Sequence, residues 1–114
     1  MQFRTFILEN QDIEHHLVTF RSKEQAKYAY YELELAGLVP ENFTSMSWCP
    51  DYLYHAFKMN EDDKHPLAIE FREWKGYIAS LKQCTLLVDD LPHMVIAGCD
   101  KYNIEFLNAF TVFT

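Results

Sequence analysis

Five apolar residues, Leu67, Phe71, Trp74, Ile78 and Leu81, constrain this chain more than any other feature. They follow one another at steps of four, three, four and three, which lays them along one face of an α-helix. Pro66 suits the first helical turn, where a missing N–H breaks no hydrogen bond. The spacing predicts a helix over 66–82, with Trp74 in the core and Arg72, Glu73 and Ser80 on the far side.

A second helix is predicted over 22–36. Ser22-Lys23-Glu24-Gln25 has the pattern of a capping box, in which the Ser hydroxyl caps an orphan amide and Gln25 reaches back. Ala26, Ala29, Tyr30, Leu33 and Ala36 recur at helical spacing and define an apolar face. Gly37 is placed to end the helix, with Pro40 beyond it.

The remaining segments read as strands. Residues 2–8 and 13–20 are rich in β-branched and aromatic types, with the polar run Glu9-Asn10-Gln11-Asp12 between them, which predicts a β-hairpin. Residues 43–48 alternate and predict a strand. Residues 52–59 are read as a strand for their Tyr and Phe content, although Pro50-Asp51 could open a short helix. Asn60 to Lys64 form a polar loop. Residues 85–101 fit either a strand or a helix capped by Asp89 or Asp90 with Pro92 in its first turn. The alternation at 104–113 predicts a strand that is apolar on both faces, hence central. The expected architecture is a single α+β domain over 1–114. Its antiparallel sheet has four to five strands, with two or three helices packed on one face.

Composition narrows the function. The 114 residues carry 10 Lys and Arg against 17 Asp and Glu, a formal net charge of −7. A dedicated nucleic-acid binder needs clustered cations to neutralise phosphates, and here no three basic residues are adjacent. Nor is there a polybasic stretch for anionic lipid. No apolar run reaches the roughly 18 residues of a membrane-spanning helix. The start Met1-Gln2-Phe3-Arg4 lacks the marks of a signal peptide. Cys49, Cys84 and Cys99 are odd in number and widely spaced, as in thiols of a reducing cytosol rather than a disulfide scaffold. A cytoplasmic location is expected.

Candidate chemistry is sparse. Adjacent His15 and His16 on a strand would point to opposite faces and could not share a metal. Cys49 and His55, and the pair Cys84 and Cys99, match no zinc spacing. Asp62-Asp63 and Asp89-Asp90 sit where solvated loops or helix caps are expected. The three isolated glycines, Gly37, Gly76 and Gly98, exclude glycine-rich phosphate loops. No catalytic residue, cofactor or metal is expected.

The helix over 22–36 is more informative. Tyr28, Tyr31 and Leu35 lie opposite its core face, beside Glu24 and Glu32. A surface helix is ordinarily polar there, and Tyr is enriched where proteins meet. This is an interface stripe, unless a second layer of the same domain covers it. Small size, acidity, the hairpin leading into Phe20-Arg21-Ser22-Lys23-Glu24-Gln25-Ala26 and the absence of catalytic motifs resemble, in type, small accessory proteins of phages and mobile elements and immunity proteins. That resemblance implies an inhibitor of a basic, nucleic-acid-handling enzyme, of the anti-defence or toxin-neutralising kind. Tyr28 and Tyr31 would be anchors with Leu35, Glu24 and Glu32 beside them, and the acids Glu61, Asp62 and Asp63 and the pair Asp89-Asp90 would face the basic partner in place of phosphates. Two other readings stay open. One is a small enzyme or ligand-binding domain with a cleft above the sheet, using some of His15, His16, His55 and Cys49. The other is a homo-oligomer, such as a dimer, joined through the Tyr28 face.

Overall fold

A computed structural model describes residues 2–59 and 64–113. Glu61, Asp62 and Asp63 lie outside the described residues. The order of elements is α1 (Phe3–Glu9), β1 (His16–Thr19), α2 (Ala26–Leu35), β2 (Ser45–Trp48), α3 (Asp51–Met59), α4 (Pro66–Leu81), β3 (Leu86–Asp89), α5 (Pro92–Tyr102), β4 (Glu105–Asn108) and α6 (Ala109–Val112). A 3-10 turn (Lys23–Gln25) leads into α2 and another (Pro40–Asn42) precedes β2.

The mixed α+β content is as expected, but the sheet is not. Among the described residues there are two separate two-stranded pairs, both parallel. His16 to Thr19 run alongside Ser45 to Trp48, and Leu86 to Asp89 run alongside Glu105 to Asn108. The physical reason is the connections. A helix between two strands carries the chain back to its starting end, so the second strand runs parallel to the first. Here α2 returns β1 to β2 and α5 returns β3 to β4. The chain is thus built from two β-α-β units, with α3 and α4 between them.

Three further expectations are corrected. The hairpin is absent, because Phe3, Phe6 and Ile7 also fit helical spacing and the chain takes that option as α1. Residues 52–59 belong to α3, opened as a helix at Pro50-Asp51. The C-terminal strand stops at Asn108, whose side chain accepts from the Phe110 N–H and caps α6. Among the described residues it pairs with β3 alone and is not central. Both predicted helices form, although the first opens as the 3-10 turn Lys23–Gln25 and is α-helical only from Ala26, with no cap from the Ser22 hydroxyl. The Gln25 side chain accepts from the Ser22 N–H at 3.2 Å, and Gly37 sits at φ +77° just past α2, a conformation that strains other residues. The open choice at 85–101 resolves into both elements, β3 and then α5.

Helices cover both faces of the first strand pair, not one. Leu17 and Val18 are neighbours in β1 and point to opposite sides. Leu17 packs with Ile7, Leu33 and Leu38 of the α1–α2 side. Val18 packs with Cys49, Leu53, Phe71 and Trp74 of the α3–α4 side, where Phe20 stacks on Phe71. A third cluster joins α4 and α5 to the second strand pair through Ala79, Cys99 and Ile104, with Leu87 and Phe106 against it. Trp74 is buried as expected, whereas Leu81 at the end of the stripe is exposed. α4 thus touches both units. It also carries a buried ion pair: Lys75 Nζ lies 2.6 Å from Asp89 Oδ2 and 4.3 Å from the centre of the Phe20 ring. Asp89 additionally accepts from the Leu91 N–H. Two charges out of water need such geometry, because an unpaired one is costly.

Candidate binding surfaces

The stripe on α2 is solvent-facing. Tyr28, Tyr31 and Leu35 are 52%, 60% and 70% exposed, and Glu24 and Glu32 are exposed beside them. Ala29 and Leu33 point inward and are buried. Tyr30, assigned to the core face, is half exposed and meets Trp48 edge-on. Local cations temper the acidity of the stripe. Arg21 pairs with Glu32, and both Arg21 and Lys27 lie over the Tyr28 ring. Tyr31 and Leu35 therefore form its open end.

A second surface was not legible as one in the sequence. A groove of about 470 Å³ runs between the start of α3, one side of α4 and the end of α5. Trp74 lines it, with Tyr52, Tyr77 and Tyr102 and the carboxylates of Glu70 and Glu73. The Tyr52 hydroxyl donates to Glu70 Oε1 at 2.7 Å, and this bond, with the carboxylate's charge, pushes the phenol above its usual range. Lys101 Nζ lies 2.6 Å from Glu73 Oε2, which holds the ammonium above its usual range. Glu73 was assigned to the solvent side of its helix. Instead α4 has a neighbour on each side, and Glu73 is largely covered. On a strand over 52–59, Tyr52 and Tyr54 would point to the same face. On a helix they diverge: Tyr52 enters the groove, and Tyr54 packs on the core and accepts from Gln25 Nε2.

The residues of the enzymatic alternative do not converge. A crevice of about 460 Å³ separates the unpaired edges of β1 and β3, lined by residues 13–18 and 82–88. His15, His16 and Cys84 face it, whereas Cys49 and His55 are not part of its lining. His15 Nε2 donates to the Asn10 carbonyl at 2.8 Å. The His16 side chain is largely covered, with Nδ1 2.6 Å from Ser45 Oγ and Nε2 3.3 Å from Glu14 Oε1. The latter nitrogen is buried without a hydrogen bond. This row of Ser, His and Glu has the residue types of acyl-transfer chemistry. Ser45, however, does not line the crevice, and its hydroxyl is engaged across the strand pair in register with His16. Cys49 is buried at the end of β2, and desolvation, reinforced by Asp51, pushes its thiol up to about 11. A nucleophilic cysteine needs the opposite shift. Asp89 is committed to Lys75. Among the described residues, no three His, Cys, Asp or Glu side chains gather as a metal site, and no helix is long and apolar enough to cross a membrane.

No protein-family model matches this sequence, and no similar chain was found among curated proteins or solved structures.

Proposed function

We propose that the protein acts by binding another protein, as an inhibitor or immunity protein of a basic, nucleic-acid-handling enzyme. The observation that carries this reading is the α2 stripe, where Tyr28, Tyr31 and Leu35 stand exposed together on a regular helix. Contiguous apolar-bodied residues on a helix face are the usual anchors of a partner. A net charge of −7 would steer a cationic surface toward it. Binding alone, without chemistry, would block such an enzyme's channel.

The test is comparative capture. Wild-type protein immobilised on beads should retain a basic protein from a lysate of its host. A Tyr31→Ala, Leu35→Ala double variant should lose it, since anchors cost about 1–3 kcal/mol each when truncated. Both side chains are exposed, so folding should be nearly unchanged. Equal retention by the variant, or retention of nothing basic by the wild type, would sink the reading. A wild type that is dimeric in solution, with the variant monomeric, would favour the homo-oligomer instead.

A further inference from the structure

We infer that the groove between α3, α4 and α5 is a cradle for an arginine side chain of the partner. The inference rests on the reading that the partner is basic, but it concerns a surface separate from the α2 stripe. On α4, Glu70, Glu73 and Tyr77 fall at steps of three and four, so they stand in one row above Trp74. Tyr52 from α3 and Tyr102 from α5 wall the row on either side. Carboxylates beside aromatic rings are the surroundings that favour an organic cation, through charge pairing and the negative faces of the rings.

The groove already holds a cation of this chain. The Lys101 ammonium lies on Glu73 and 5.6 Å from the centre of the Tyr102 ring. Glu70 is different. It is exposed, its Oε1 accepts from the Tyr52 hydroxyl, and among the described residues it has no ion pair. An exposed carboxylate that accepts from a phenol at one oxygen still has lone pairs for an incoming planar donor. Guanidinium is favoured over ammonium because it can stack flat on Tyr52 or Tyr77 while donating to Glu70. Tyr52 and Tyr77 are both accessible for such stacking, at 58% and 43% exposure. The Tyr77 and Tyr102 rings meet in a tilted contact, with centroids 5.8 Å apart.

The experiment is a titration of isotopically labelled protein with N-acetyl-arginine methylamide, followed by NMR. The citrulline and lysine counterparts serve as the neutral isostere and the alternative cation. Saturable shifts confined to α3–α5 with arginine, and weaker ones with both counterparts, are expected. Glu70→Gln should weaken binding by about two- to fivefold, as for an exposed charge pair. Lys101→Met, which frees Glu73, should tighten it severalfold. Tyr31→Ala should leave it unchanged, so a failure here leaves the α2 reading standing, and loss of capture through α2 leaves this site standing. Equal binding of citrulline or lysine, no saturable shift, an unaltered Glu70→Gln affinity, or no tightening in Lys101→Met would each overturn the proposal. The spectra themselves report whether each variant is folded.

Discussion

Cys49 shows how a side chain's surroundings decide its chemistry. It sits between β2 and α3 with almost no solvent contact, its thiol near the Pro50 carbonyl. Desolvation is the main reason its thiol is raised from 9.0 to about 11; Asp51 adds to the shift and Lys75 opposes it. The folded state thus holds this proton more tightly than the unfolded chain does. The resulting stability is complete below pH 9 and is lost as pH rises through 11. A shift of two units corresponds to about 2–3 kcal/mol at most. Other groups titrate in the same range, so the comparison is with Cys49→Ala. Urea denaturation from pH 8 to 11 should show a fall in stability that is steeper in the wild type than in the variant. Parallel profiles would mean that Cys49 ionises as freely folded as unfolded. In the native protein at pH 8, Cys84, partly exposed, should be alkylated before Cys49.

At the scale of elements, α4 and α5 cross with backbone against backbone. A Cβ built on Gly76 would lie 2.3 Å from the Gly98 carbonyl carbon, and one on Gly98 would lie 2.6 Å from the Glu73 carbonyl oxygen. Backbone meets backbone here, so no side chain can swing aside. Gly76→Ala should push the helices apart and cost at least the about 1–3 kcal/mol of an overpacked core, despite the usual helical gain from Ala. Thermal denaturation would check this, and a stabilised variant would show that the crossing is looser than the geometry implies. In the sequence these glycines could only be seen as isolated, because a crossing depends on which helices meet. Legibility follows the same divide. The helices over 22–36 and 66–82 were readable because capping and periodicity are local. Strand direction was not, since it is set by the crossover helix, and α5 was itself ambiguous. Short runs such as Phe3 to Leu8 fit two periods at once, and only burial of Ile7 against Leu33 decides between them. The exposed stripe of Tyr28, Tyr31 and Leu35 was legible because it is the complement of a well-defined core face. The groove was not, because its walls come from three helices, one of which was read as a strand.

At the scale of the molecule, the question is whether two β-α-β units that share no strand ladder behave as one. The answer lies in α4. Its middle, Phe71 and Trp74, packs beneath β1 with Cys49 and Leu53. Its end, Ala79, packs with Cys99 and Ile104 of the other unit. Between these, Lys75 reaches from the Phe20 ring to Asp89 at the end of β3. Losing α4 would therefore uncover both strand pairs together, so a single cooperative transition is expected. Trp74→Ala probes this directly. It should cost about 3–5 kcal/mol, as for a large aromatic removed from a core, a large share of the roughly 5–15 kcal/mol that holds an ordinary domain. The loss should register equally in both units, although Trp74 itself touches the β1 side. Amide exchange along β1 and β2 reports the first unit, and in the Trp74→Ala variant so does the fluorescence of Trp48, which lies in β2 against Tyr30. Amide exchange along β3 and β4 reports the second. In the wild type both probes should give one midpoint and one stability, and in the variant both should fall together. A variant in which Trp48 unfolds early while β3–β4 amides keep their protection would show that the units fold separately and that α4 belongs to the first alone.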